Sequence, residues 1–217
     1  MLGQVASSAL HAHFRPHQFL IREEERPSAI FRIDEGWACR YRLLLDGRRQ
    51  ITALYLPGDY CDPLWALGRL PAQPVVALTH IRATRLSCTP PGAASADGQR
   101  LWRSLADMVE RQGDWLVTLG RKTALERLAH LLLEIFERMR AVGLAYGQQC
   151  AMPLTQMEIA DLTGLTPVHV NRTLQSMRAK GLIELQSKWL RIPDLSALRS
   201  AAALLSHDRA HPNRSMT

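Results

Sequence analysis

From Phe31 to Ser87 the chain runs in short alternating stretches, with Cys39, Tyr41, Leu43 and Leu45 on one side and Ala38, Arg40, Arg42 and Leu44 on the other. Turn signals interrupt them at Asp34-Glu35-Gly36, Asp46-Gly47 and Pro57-Gly58-Asp59. A period of two predicts strands. Asp-Gly between two such runs predicts a hairpin, since both residue types tolerate positive φ. Several short strands with regular turns predict a small antiparallel roll or barrel. Thr89-Pro90-Pro91-Gly92 ends it, because proline has no N–H to give to a ladder.

From about Ala96 to Arg121 the period becomes helical. Leu101, Leu105, Met108, Gln112, Trp115 and Leu119 follow one another in alternating steps of four and three, a heptad seam. A second stripe of Trp102, Ala106, Val109 and Leu116, broken by Gly113, runs along another face. A helix that only covers a sheet needs one stripe. Two stripes predict that one packs on the chain's own domain and the other on the same helix of a second subunit, and the first stripe is the expected dimer interface. Gly120-Arg121-Lys122-Thr123 reads as a joint, with Thr123 as N-cap and Glu126 completing a capping box. A further amphipathic helix carries Leu125, Leu128, Leu132, Ile135, Phe136 and Met139 and closes near Gly143. The expected organisation is a β-domain over 1–96, a dimerisation helix over 97–121 and a C-terminal domain over 122–217, with a disordered polar tail from about 206.

Residues 153–182, PLTQMEIADLTGLTPVHVNRTLQSMRAKGL, write two short helices about a tight turn. Thr155 caps the first, Glu158 answers it, Ile159 and Leu162 supply its buried face, and Gly164 stops it. Thr166 caps the second and Pro167 takes the first helical position, where a missing N–H costs nothing. Val170, Leu174 and Met177 form its core face, so Val168, His169, Asn171, Arg172 and Gln175 turn outward. Arginine can hold guanine O6 and N7, and asparagine or glutamine can hold adenine N6 and N7. This is the chemistry of a recognition helix in the major groove. Gly181 to Ile192 then reads as two strands about a turn, a wing with Lys188 at its tip, placed to meet a phosphate. Thr155, Gln156 and Thr166 at the helix starts complete the expected DNA-binding set.

Charge agrees with this reading without proving it. The net +7 is carried by the two ends, while residues 97–139 balance seven basic against seven acidic side chains. No apolar run reaches the roughly 18 residues of a membrane span, and the start lacks the pattern of a signal peptide, so the cytoplasm is the expected compartment. Cys39, Cys61, Cys88 and Cys150 show no C-x-x-C spacing, and the eight histidines form no H-E-x-x-H motif. No metal site is expected, and buried reduced thiols are. The chain also lacks G-x-S-x-G, a P-loop and paired carboxylates in helical register, so it is not read as an enzyme.

The run Ile-Ala-Asp-Leu-Thr-Gly-Leu-Thr-Pro-Val-His-Val-Asn-Arg-Thr-Leu, with Leu-Pro-Gly-Asp at 56–59, resembles the Crp/Fnr superfamily of bacterial transcription regulators. The likeness runs through nearly the whole chain. It implies an α+β protein: an N-terminal cyclic-nucleotide-binding-like antiparallel β-roll, a long dimerisation helix and a C-terminal winged helix-turn-helix. It implies a homodimer on an inverted repeat of double-stranded DNA, with RNA polymerase as a further partner if the protein activates. The family's DNA-contacting arginine matches Arg172, whereas a glutamate common four positions earlier is here Val168.

The sensor half departs from the family's ligand motifs. The Gly-Glu pair that holds a ribose in cyclic-nucleotide binders is matched by Asp62-Pro63, and the phosphate-holding Arg-Ser or Arg-Thr pair by Pro71-Ala72. Cyclic AMP and cyclic GMP are therefore not expected to bind. No cysteine precedes Cys39, which removes the clustered N-terminal ligands of the iron-sulfur branch. Haem ligation would fall to His80, His11 or Cys61, lone residues of types that are more often structural, so no cofactor is expected. Two alternatives stand beside the main reading: a haem-based gas sensor of the same family, and a ligand-receptor roll that drives a protein partner through its C-terminal helices. Salt separates the latter from a DNA binder, because only operator binding releases counterions.

Overall fold

The computed structural model describes residues 11–27, 29–64, 70–86 and 96–203. Cys88, the Thr89 to Gly92 stretch and the tail expected from about 206 lie outside the described residues.

The N-terminal half contains β1 (His11–Phe14), β2 (Phe19–Ile21), β3 (Ile30–Glu35), β4 (Ala38–Leu43), β5 (Arg49–Tyr55), β6 (Tyr60–Cys61), β7 (Val75–Ala77) and β8 (Ile81–Leu86). They form two antiparallel sheets, ordered β1-β8-β3-β6 and β2-β7-β4-β5. β1 and β2 lie before the stretch in which alternation was legible. The expected hairpin joins β4 to β5, with the Leu44 N–H donating to the Arg48 carbonyl and Gly47 taking a φ of +83° at its tip. Ile30, Ile33, Ala38, Tyr55, Val75, Ala77, Ile81 and Ala83 make one core of the roll.

The other side of β4, β5 and β7 presents Trp37, Cys39, Ile51, Leu54, Leu56 and Val76 to a second core. It is shared with α2 (Ala124–Ala141), α3 (Gln156–Thr163) and α4 (Pro167–Ala179) through Leu128, Leu132, Phe136, Ile159, Leu174 and Met177. At roughly 1.5 to 3 kcal/mol for each fully buried large apolar side chain, this shared cluster is the main force holding the two halves together. Polar contacts set its register. Arg49 Nε reaches Asp161 Oδ2 at 2.7 Å, and Arg138 donates to Glu134 at 2.9 Å, to the Leu54 carbonyl at 2.8 Å and to Asp59 of the Pro57-Gly58-Asp59 turn.

α1 (Ala96–Arg121) has the two stripes that its sequence predicts, and it is the first of them that packs on the chain itself. Leu101, Leu105 and Met108, expected at a dimer interface, are buried within their own chain. Trp115 sets its ring edge-on to His130 at 5.4 Å and donates from Nε1 to Glu134 at 2.8 Å, while Leu119 is half-buried and Gln112 exposed. The face left open is the second stripe: Trp102 is 49% exposed, Val109 62% and Leu116 76%, with Ala106 and Gly113 exposed between them. Periodicity reveals two faces and cannot say which of them the β-roll covers.

Beyond α1, Thr123 caps α2 as expected. Its N–H donates to Glu126 Oε2 at 2.7 Å and its hydroxyl accepts from the Glu126 N–H at 3.4 Å. A four-stranded sheet, ordered β11-β12-β10-β9, includes the wing β11 (Glu184–Gln186) and β12 (Trp189–Arg191). Its other members, β9 (Ala145–Tyr146) and β10 (Gln149–Ala151), and the final helix α5 (Leu195–Ala201) had no periodic signal, being only two, three and seven residues long.

Candidate nucleic-acid interface

Both helices of the motif begin with the caps that the sequence prescribes. The Thr155 N–H donates to Glu158 Oε2 at 2.6 Å, and the Thr155 hydroxyl accepts from the Glu158 N–H at 3.2 Å. Gly164 ends α3 in the left-handed conformation, at φ +66°. Thr166 then accepts the His169 N–H at 3.3 Å to start α4, with Pro167 at its first position. Thr155 and Thr166 thus spend side-chain oxygens on helix starts, which fixes the backbone of the motif before any ligand arrives.

Val170, Thr173, Leu174 and Met177 bury the inner face of α4. Its outer ridge is Val168, Arg172 and Gln175, all exposed and one helical turn apart. No hydrogen bond or ion pair holds these three side chains among the described residues. The remaining two predicted residues lie on the flanks and are half-buried. His169 lends its carbonyl to the Thr173 hydroxyl at 2.8 Å. Asn171 donates from Nδ2 to Gln156 Oε1 at 3.2 Å, a tie between α4 and the first residue of α3. That tie spans 15 residues and leaves no local trace in the sequence. Met157, 56% exposed beside Gln156, also escaped the sequence reading, because a methionine at a helix start has no polar signature.

Ser187 and Lys188 form the tip of the wing with φ of +50° and +63°, the paired positive angles that a two-residue hairpin turn requires. The Lys188 carbonyl accepts the Met152 N–H at 2.8 Å, tying the turn to the segment just before α3 while its side chain stays exposed.

The interior of the roll is built on the opposite plan. Arg40 and Asp62 are buried at 7% and 4% exposure and pair at 3.0 Å between Nη1 and Oδ1. Arg40 Nε donates to the Thr52 hydroxyl at 3.3 Å, Thr52 bonds Gln73, and the Asp62 N–H donates to the Tyr55 hydroxyl at 3.2 Å. Burial raises the Asp62 carboxyl above its ordinary value, against the lowering effect of Arg40. Cys39, Cys61 and Cys150 are buried free thiols. Burial pushes Cys39 up to about 12 and Cys150 to about 11, and Cys61 well above its usual value. No group of His, Cys, Asp and Glu among the described residues could hold a metal ion, and no helix there is long and apolar enough to cross a membrane.

Comparison with known proteins places both halves. Residues 11–87 match the cyclic nucleotide-binding domain family, and residues 126–201 match the Crp-like helix-turn-helix domain. The nitrogen fixation regulation protein FixK of Azorhizobium caulinodans is 30% identical over 200 residues, covering 90% of this chain and 80% of that protein. The transcriptional activator protein FnrL of Cereibacter sphaeroides is 29% identical, with 81% of this chain and 73% of that protein covered. Among solved structures, FixK2 from Bradyrhizobium japonicum superposes with a TM-score of 0.78 at 28% identity, covering 91% of this chain and 99% of FixK2. A transcriptional regulator of the CRP/FNR family from Thermus thermophilus shares the fold, with a TM-score of 0.71 at 18% identity over 90% of this chain and 99% of that one.

Proposed function

We propose that this chain, which belongs to the Crp/Fnr family of DNA-binding transcription regulators and is not an enzyme, binds an inverted-repeat operator in the cytoplasm as a homodimer, without a cyclic nucleotide. The observation that carries the reading is the ridge of Val168, Arg172 and Gln175, exposed and without a side-chain partner among the described residues, on a helix whose inner face is buried and whose flank is tied to α3. Thr166 and Lys188 flank it at positions suited to phosphates, Thr155 starts the supporting helix with both its N–H and its hydroxyl given to Glu158, and Gln156 and Asn171 brace the ridge.

Dimerisation is assigned to the open stripe of α1. Trp102, Ala106, Val109, Gly113 and Leu116 repeat in steps of four and three, so large side chains alternate with small ones and two such helices can interlock closely. Leu116→Asp is expected to give folded monomers that lose operator binding. Leu105→Asp is expected to unfold the chain instead, because it places a charge in the chain's own core. Sedimentation and thermal melting read the two outcomes apart. Folded monomers from Leu105→Asp, with Leu116→Asp still dimeric, would restore the first stripe as the interface.

Independence from cyclic nucleotides rests on the roll interior. An entering phosphate would need a free buried cation, and Arg40 is already neutralised by Asp62. Pro71, at the position matched to the phosphate-holding arginine, offers no donor, and its carbonyl is taken by the Glu24 N–H at 3.0 Å. Calorimetric titration with cyclic AMP and cyclic GMP should give no heat of binding, and micromolar affinity for either overturns this part.

The whole reading is tested by selecting sites from random duplexes with the full-length protein. A two-fold symmetric site whose affinity falls with salt is the expected result, with a slope of about −0.9 per phosphate neutralised. RNA polymerase becomes a partner if the bound site lies where activation is measured.

A further inference from the structure

We propose that Val168 recognises the methyl group of a thymine lying within about two base steps of the guanine gripped by Arg172. The proposal rests on the DNA-binding reading above and names the bases that its outer ridge selects.

A single exposed apolar residue on a protein surface is ordinary. Val168 is set apart by its place. It is 80% exposed, sits at the second residue of α4 and shares the outer face of that helix with Arg172, four residues on. Once the helix enters the groove, this side chain is pressed against base edges whatever they are. Valine has no donor and no acceptor, so any base edge that offers only polar groups there loses water and gains nothing in return. The floor of the major groove carries one apolar group, the C5 methyl of thymine. Contact with it converts the exposed isopropyl group from a liability into a source of discrimination.

The neighbouring residues support this assignment. Asn171, the type best suited to adenine, is half-buried, and its Nδ2 already donates one of its two N–H groups to Gln156, which holds the amide toward α3. His169 is likewise half-buried on the flank. The ridge is left to do the reading, with Arg172 as its polar member and Val168 as its apolar one. Four residues of helix rise about 6 Å, and successive bases of one strand are about 3.4 Å apart, which sets the separation of roughly two steps.

The test uses full-length protein and the duplex recovered by selection. Each thymine of the half-site is replaced in turn by deoxyuridine, which removes only the methyl group. One thymine close to the guanine should be sensitive, its replacement weakening binding about fourfold, the effect of one methyl group. Val168→Glu, an exposed change that places an acid in the first turn of a helix, should keep the melting temperature. It should move selection at that base pair from thymine to cytosine, whose N4 donates to a carboxylate, and abolish the deoxyuridine effect. Insensitivity of every half-site thymine, or an unchanged selected site for Val168→Glu, overturns the assignment while leaving DNA binding in place. Recovery of no sequence above the random pool would overturn the DNA-binding reading as well, so the two failures are distinguishable.

Discussion

Arg172 and Arg40 show how one residue type serves opposite ends in the two halves of this molecule. Arg172 stands on the outer ridge of α4 without a partner among the described residues, and the fold around it is already complete. Arg40 lies inside the roll, paired with Asp62 and hydrogen-bonded to Thr52. An arginine meant for an outside polyanion must be held ready and unsatisfied. One that has been given a carboxylate by its own chain has become part of the core. The contrast separates an arginine left open on the C-terminal half from one that the fold of the N-terminal half uses for itself.

The strongest way to break the comparison is to remove the internal partner. Asp62→Ala leaves a buried guanidinium uncompensated and should cost about 3 to 5 kcal/mol of stability in denaturant titrations. Replacing both residues by apolar ones, Arg40→Met with Asp62→Leu, should recover most of that loss, since a well-packed apolar pair avoids the desolvation of both charges. A cost near zero for Asp62→Ala would mean that Arg40 finds water, and the roll interior would then be open to an anion after all.

The sign of the pH dependence follows from the same burial. The Asp62 carboxyl is raised, so the folded chain keeps its proton over a range in which the unfolded chain has already released it. Its contribution to stability is therefore greatest below the ordinary carboxylate range and declines as pH rises through the raised value. Asp62→Asn should remove that decline, and the gap between wild type and variant, followed by denaturation across the acid range, should change in the direction of relatively weaker wild type at higher pH.

On the output side the expected loss is smaller and falls on binding rather than folding. Arg172→Ala should cost roughly 1 to 3 kcal/mol on the selected site and relax discrimination at one base pair, with non-specific binding little changed. Its melting curve should match that of the wild type, since the side chain is exposed. An equal loss on every duplex would make Arg172 a phosphate contact, and the readiness inferred from its exposure would then concern charge alone.

What the sequence made legible follows the same division. Caps, turns and a helical period are local, so Thr123, Thr155, Gly164, Thr166 and Pro167 announced their roles, as did the Asp46-Gly47 hairpin. β1, β2, β9, β10 and α5 escaped because a few residues carry no measurable period. The use of the two stripes on α1 escaped for a different reason. Both are apolar, and only the placement of the roll decides which one is buried. The Arg40–Asp62 pair joins residues 22 apart and the Asn171–Gln156 tie residues 15 apart, so neither can be read before the chain is folded. Among the residues expected to meet DNA, the separation into an exposed ridge and braced flanks required the second helix.

The smallest expected effect comes from the thiols, and it bears on whether the roll retains any sensing chemistry. The thiolate is the reactive form of cysteine, and burial works against it at Cys39, held up to about 12, at Cys150, held up to about 11, and at Cys61, held well above its usual value. In a Cys88→Ser background, iodoacetamide at mildly alkaline pH should leave these three unmodified in the native protein and label all of them in denaturant, as read by mass spectrometry of each cysteine peptide. Mild oxidant should leave operator affinity unchanged. Native labelling of Cys39 or Cys61 with a parallel loss of DNA binding would show that the interior opens on an accessible timescale. The roll would then be a sensor whose paired arginine is its closed state, and the division between a ready half and a satisfied half would become a division between two states of one switch.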